Sequence, residues 1–300
     1  MLSICIPAYH CNVDALVLAL QGQLELLPNS VEVLVCDDCS PSPVMTTMPL
    51  FSGFRLLRND HNLGRAATRN RLVHEAKGDL ILFLDGDSEL VAPDFVAKWL
   101  ELAENDSISV GYGGSVYQED PPPANQFLRW KVSNTRESKS VEERSKGGSG
   151  FKTNNVLLRK SIFQKLSFNE GLRGYGHEDT LFGVELGLLG FQIHHINNPV
   201  KNAVLDSNEV FLRKTEEAIR NLKRCIHYAS NPDAFIAQVR VLRVHRALKR
   251  FKQLWLLRMV SYLAMPTLVN RLKAGKAIGI IPLFDVYKLC MLDRINRLTD

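Results

Sequence analysis

The sequence predicts an α/β fold: a mostly parallel central sheet flanked by helices, followed by a helical, basic C-terminal extension. Three observations predict it. Short apolar runs alternate with helix-spaced segments over the first 110 residues, the pattern of a parallel sheet covered by helices. Two of those runs end in paired acids. From Val241 to Asp300 there are 12 Lys and Arg against 3 Asp and no Glu, a net +9, whereas the first 240 residues hold 25 bases and 29 acids, a net −4.

The elements follow in order. Ser3 to Ile6 is a short β-branched run ending at Pro7, and Ala15 to Leu27 has helical spacing up to Pro28-Asn29. Val31 to Cys36 is a second strand, closed by Asp37-Asp38-Cys39-Ser40-Pro41, which is turn chemistry. Phe54 to Leu57 is a third, and Gly64 to Ala76 is a helix closed by Gly78. Leu80 to Leu84 (LILFL) is continuously apolar, as a central strand covered on both faces must be. From Gln118 to Phe151 the periodicity dissolves into Pro121-Pro122-Pro123, a polar stretch and Gly147-Gly148-Ser149-Gly150, which predicts a long irregular connection of the type that covers sites. Regular structure resumes at Asn155 to Leu158 and after Asp179, and the chain is helical beyond Glu209.

A chain of 300 residues, 45% hydrophobic and 23% charged, has ordinary globular composition and can bury the core of one or two domains. That excludes a disordered chain, a collagen and a coiled-coil rod. The six cysteines are too few and too scattered for a disulfide framework. No basic n-region with an apolar h-region opens the chain. The longest apolar uncharged stretch of the tail, Met259 to Asn270, has 12 residues and contains Pro266, short of the roughly 20 a membrane span needs. The expected location is cytoplasmic and reducing.

In open parallel α/β sheets, ligands bind beyond the carboxyl ends of the strands. Asp37-Asp38 and Asp85-Gly86-Asp87 both close predicted strands. An acid-Gly-acid turn suits a hard cation, Mn²⁺ or Mg²⁺, which takes one or two carboxylates and completes its shell with phosphate oxygens and water. A third cluster, Glu178-Asp179, stands at the first turn of a predicted helix after Gly174-Tyr175-Gly176-His177. One acid suffices as an N-cap; two leave a carboxylate for base chemistry.

The segments SICIPAY, VLVCDDCSP, NLGRAATRNRLVHEAKGDLILFLDGD and GYGHEDTLFGVELGLLGF, in this order and spacing, resemble glycosyltransferase family 2, of the GT-A (Rossmann-like) fold. The resemblance covers residues 1–215 as a nucleotide-sugar-binding, catalytic domain and leaves 216–300 as the basic helical region. It implies that Pro7 and Tyr9 line the nucleotide base, that Asp38 with Asp37 beside it hydrogen-bonds the base, and that Arg69 flanks the nucleotide. It further implies Asp85 at the ribose and in the metal turn, Asp87 as metal ligand, and Asp179, then Glu178, as catalytic base. The implied reaction is single displacement with inversion from a nucleotide-diphosphate sugar, a UDP-sugar, to a glycan or lipid-linked glycan. Two positions depart from the family pattern: His10 stands where Asn is usual, and Asn202 where a metal-binding His is usual, with His194 and His195 earlier.

Other readings are weighed on their own residues. A nucleotidyltransferase would carry a Gly-rich first loop with a base, but here the loop is Pro7-Ala8-Tyr9-His10. A non-catalytic membrane-surface adaptor would bind vesicles through residues 241–300 and ignore nucleotide. Cys36-Asp37-Asp38-Cys39 is formally CxxC, but between acids at a strand end its thiols are kept protonated. Lys146 to Thr153 lacks the Gly-Lys-Ser/Thr junction of a phosphate loop. Val241 to Leu257 mixes Arg243, Arg246, Lys249, Arg250 and Lys252 with Phe251 and Trp255 at helical spacing, which predicts a helix lying on an anionic membrane. No recognition motif accompanies the charge, so nucleic acid is not an expected partner.

Overall fold

The computed structural model describes residues 1–25, 27, 30–46, 51–146, 151–202, 204–275 and 279–299. The chain forms two compact units, one of residues 1–117, 138–173 and 178–204, the other of 118–137, 174–177 and 205–300. In chain order the elements are β1 (Leu2–Ala8), α1 (Asp14–Leu24), β2 (Val31–Asp37), β3 (Phe54–Arg58), α2 (Arg65–Glu75), β4 (Leu80–Leu84), β5 (Ser88–Leu90), α3 (Phe95–Ala103), β6 (Val110–Tyr112) and β7 (Ser115–Val116). There follow α4 (Phe127–Val132), α5 (Val141–Lys146), β8 (Asn155–Arg159), α6 (Glu178–Leu188), β9 (Ile193–His195) and β10 (Val200–Asn202). Among the described residues six helices follow: α7 (Asn208–Tyr228), α8 (Pro232–Gln238), α9 (Arg240–Arg250), α10 (Leu254–Leu263), α11 (Met265–Ala274) and α12 (Ile280–Thr299).

Among the described residues of the first unit, seven strands run in the order β3-β2-β1-β4-β8-β6-β9, and β5-β10-β7 form a small second sheet. β3, β2, β1 and β4 are mutually parallel, while β8 runs antiparallel between β4 and β6. Period-two alternation sorts the strand residues onto two apolar layers. Leu2, Ile4, Ile6, Val33, Val35, Leu82 and Leu84 pack with Leu16, Val17 and Leu20 of α1 and Phe95, Val96 and Trp99 of α3. Cys5, Leu34, Cys36, Ile81 and Phe83 pack with Leu72 and Val73 of α2 and Phe182 and Leu186 of α6. β1 extends past its predicted end and includes Pro7; its ladder with β4 stops at Cys5–Phe83, so the missing proline N–H leaves no vacancy in that ladder. The predicted helix stop at Pro28-Asn29 lies outside the described residues.

In the second unit, α7 is capped by Ser207, whose Oγ accepts the Val210 N–H at 3.3 Å, and α8 by Asn231, which accepts from Ala234 at 3.0 Å with Pro232 at the first helical position. The approach segment 174–177 has left-handed backbone at Gly174, Gly176 and His177. One face of α7 holds it: Glu217 accepts the Tyr175 N–H at 3.0 Å, Asn221 Nδ2 donates to the Tyr175 and Gly176 carbonyls, and Cys225 donates to His177.

The connection from Gln118 to Phe151 is not irregular as expected. Ala124–Glu137 is a run of 3-10, α and π turns and α5 follows it. Trp130 fills the second unit, with Nε1 donating to the Gln118 carbonyl at 2.9 Å, and the Arg136 guanidinium pairs with both oxygens of Asp285. Residues 147–150 of the glycine-rich stretch lie outside the described residues. No described helix is long and apolar enough to cross a membrane.

Candidate active site

The strand order β2-β1-β4 brings the ends of three strands side by side, with Asp37 paired to Ala8 of β1 and Phe83 of β4 paired to Cys5. Pro7 is half-buried and Tyr9 exposed beyond it. His10 has φ of 53°, a left-handed conformation that Asn and His adopt more readily than most residues.

Asp37 and Asp38 are both buried, and both already have partners. Asp37 accepts the Ser40 N–H at 2.8 Å and pairs with Arg58 at 3.1 Å. Asp38 accepts from Asn59 Nδ2 at 2.7 Å, Leu63 N–H at 2.8 Å and Gly64 N–H at 2.9 Å. Asp38 thus fixes the entry to α2, where Gly64 turns with φ of 87°. Asp38→Ala orphans these donors and is expected to cost about 2–3 kcal/mol, measurable as a lower urea midpoint; an unchanged midpoint would contradict this role. Cys36 and Cys39 are free thiols, and burial pushes Cys36 up to about 11, which disfavours its reactive thiolate.

Arg69, on α2, is only 2% exposed. Its Nη1 lies 3.0 Å from Glu178 Oε1 at the start of α6, and its Nη2 lies 3.2 Å from Asp85 Oδ1 at the end of β4. One guanidinium therefore ties two of the three acidic clusters together, with a separate nitrogen of its planar fork for each carboxylate. Burial alone would raise the Glu178 carboxyl; Arg69 and Arg65 reverse this and hold it below the ordinary range. Asp179 goes the other way. Burial, then the adjacent Glu178 carboxylate, push it up to about 6, against the opposing pull of Lys152 and Arg69. Its Oδ1 accepts the Thr180 N–H at 2.6 Å. Two neighbouring carboxyls with their proton affinities driven apart are the arrangement that separates a structural anion from a base working near neutral pH.

The Asp85–Ser88 segment is a turn closed by a Ser88 N–H bond to the Asp85 carbonyl at 3.1 Å. A Cβ on Gly86 would stand 2.9 Å from Cys11 Sγ and 3.0 Å from a Val13 methyl, so a larger residue requires those side chains to move. Asp85 is half-buried and Asp87 exposed. Burial raises the Cys11 thiol, and the negative charges of Asp87 and Asp85 raise it further. Among the described residues no group of three or more His, Cys, Asp or Glu could hold a metal alone. Two hard carboxylates on one tight turn fit Mn²⁺ or Mg²⁺ shared with a diphosphate. Asn202 pairs in register with Ser88 and donates Nδ2 to the Tyr117 hydroxyl at 2.6 Å, beside this turn. His194 and His195 lie instead on β9, where His195 packs against Tyr112.

Sequence reasoning missed Asn59, and it set Lys152 aside with the Lys146 to Thr153 stretch, although the Lys152 charge acts on Asp179. Asn59 holds Asp38 and also donates to Thr68 on α2 at 3.1 Å. Neither residue belongs to a motif, and only the folded chain brings them to the site.

A family model described as glycosyl transferase family 2 matches residues 3–167. The chain belongs to glycosyltransferase family 2. The amylovoran biosynthesis glycosyltransferase AmsB of Erwinia amylovora is 26% identical over 213 residues, 67% of this chain and 68% of its own. The UDP-Glc:alpha-D-GlcNAc-diphosphoundecaprenol beta-1,3-glucosyltransferase WfaP of Escherichia coli is 24% identical over 156 residues, 48% of this chain and 61% of its own. An uncharacterized glycosyltransferase of Haemophilus influenzae is 33% identical over 104 residues, 35% of each chain, so these last two relatives are matched over less than two thirds of their length. Among solved structures, the mannosyltransferase PcManGT of Pyrobaculum calidifontis, in complex with GDP-Man and Mn²⁺, has a TM-score of 0.58 at 14% identity over 98% of this chain and 86% of that one. TarS 1–349 of S. aureus in complex with UDP has a TM-score of 0.51 at 15% identity over 100% and 92%. These likenesses show the fold, which is GT-A.

Proposed function

We propose that this family 2 protein is an inverting glycosyltransferase that moves a sugar from a UDP-sugar to a hydroxyl of a glycan or lipid-linked glycan at an anionic membrane face. The observation that carries the reading is buried Arg69 joining Asp85 to Glu178, with Asp179 beside it. UDP is favoured because the relative WfaP is named for UDP-Glc. The base and ribose lie along Pro7, Tyr9, Asp37, Asp38 and Asp85, and Arg69 flanks the nucleotide. Asp87 and Asp85 would hold Mn²⁺ or Mg²⁺, which would offset the charge of the departing diphosphate.

The chain's own groups account for the remaining chemistry. Asp179, ionised above about pH 6, takes the acceptor hydroxyl proton as that oxygen bonds to the anomeric carbon and the bond from carbon to diphosphate oxygen breaks. The products are an inverted glycoside, UDP and a proton on Asp179. Glu178, kept ionised by Arg69, holds the Arg69 fork in place. Single displacement needs no nucleophilic side chain.

Incubation with UDP-sugars and a lipid-diphosphate-linked sugar acceptor tests the proposal. Release of UDP with a product of inverted anomeric configuration by NMR is expected, abolished by EDTA and in Asp87→Ala. Retained configuration, or UDP release indifferent to Asp87, would contradict it.

A further inference from the structure

The second unit carries a surface that the donor chemistry leaves unexplained. Between Asp233 and Asp285 there is no acid, and the stretch holds 10 Lys and Arg. On α9 the bases Arg243, Arg246 and Arg250 recur at i, i+3 and i+7 and are exposed, while Leu242 and His245 are buried. The inner face is docked on α12: His245 Nε2 lies 3.5 Å and Arg258 Nε 3.6 Å from Asp293, and Cys290 donates to the Leu257 carbonyl.

The outer face of α10 is apolar. Trp255, Met259, Tyr262 and Leu263, at i, i+4, i+7 and i+8, are 58%, 45%, 86% and 69% exposed, and Phe251 at the preceding turn is 69% exposed. A helix turning its outer face to water alone carries polar residues there. Aromatic rings with a polar edge, set among bases, suit the boundary of a bilayer, where rings enter the headgroup layer and cations meet anionic lipid.

We infer that the outer face of α9 and α10 docks the protein on an anionic phospholipid bilayer. Trp255, Met259, Tyr262 and Leu263 enter the headgroup layer, and Arg243, Lys249, Arg250 and Lys252 meet the lipid charge. The inference names the surface by which the proposed enzyme reaches a lipid-linked acceptor and rests on that reading for its purpose. The absence of acids from the stretch supplies the charge complementarity. A second copy of the chain would bring the same bases against one another.

Full-length protein is mixed with vesicles of phosphatidylcholine alone or with phosphatidylglycerol. Trp99 and Trp130 are buried, so Trp255 reports contact. Binding to the anionic vesicles only is expected, with a blue shift of Trp emission and quenching by brominated lipid. Neutralising Arg243, Lys249 and Arg250 together should weaken binding roughly a hundredfold, and Trp255→Ser with Tyr262→Ser at least tenfold. All these side chains are exposed, and circular dichroism checks that the variants fold. No binding, binding without a Trp255 response, binding indifferent to these variants, or a dimer that shields Trp255 would overturn the inference. Flotation needs neither donor nor turnover. Binding without transfer would sink the proposed function alone, and transfer to a soluble acceptor without binding would sink the docking surface alone.

Discussion

Asp179→Asn lowers turnover by about two to four orders of magnitude and leaves donor affinity unchanged, because the side chain acts on the acceptor proton. The wild-type rate should rise with pH through about 6, where Asp179 loses its proton, and the residual rate of the variant should lack that limb. Stability follows the opposite sign. The folded chain holds the Asp179 proton to a higher pH than the unfolded chain does, so this group's contribution is largest in acid and falls as pH rises toward 6. Above that pH, Asp179→Asn, which has nothing to ionise, should be no less stable than wild type. A variant both inactive and strongly destabilised at pH 7.5 would mean that Asp179 is an N-cap and not a base.

Arg69→Met is expected to be the most destabilising single change at the site, by about 3–5 kcal/mol, because it leaves the buried Glu178 carboxylate without its cation. Arg69→Lys should recover little, since a single ammonium nitrogen replaces the two fork nitrogens that meet Glu178 and Asp85. Adding Glu178→Gln to Arg69→Met removes the orphaned charge and should restore part of the loss in urea unfolding of the full chain. Simple additivity of the two changes would contradict the pairing. Donor affinity should fall in every Arg69 variant, because Asp85 loses the group that fixes it.

β2 and β4 were legible because both faces of the sheet are buried there, so VLVC and LILFL are uninterrupted apolar runs. The acids at their ends were legible because they break those runs abruptly. The helical turns of Ala124–Glu137 were not. Leu128, Trp130 and Val132 are the buried side chains of α4, a spacing of two that imitates a strand, and the three prolines before them mask the start. Nor could the sequence reveal that Asp38 closes the entry to α2 through N–H groups 25 and 26 residues away. Arg69 meets Asp85 and Glu178 across separations of 16 and 109 residues. Local pattern is blind to such contacts, and the division of labour between Glu178 and Asp179 follows from them.

The central claim is a nucleotide-diphosphate site at the ends of β1, β2 and β4 that depends on the Asp85–Asp87 turn. Thermal-shift titration with UDP, GDP, CDP and dTDP, each with Mn²⁺ and with EDTA, tests it on wild type and Asp87→Ala side by side. A ligand at 100 times its Kd adds roughly 2.7 kcal/mol, a clear rise in Tm. The account predicts a rise with UDP that needs Mn²⁺ and disappears in Asp87→Ala. A folded wild-type protein that responds to no nucleotide, or equally with and without Asp87, would contradict it.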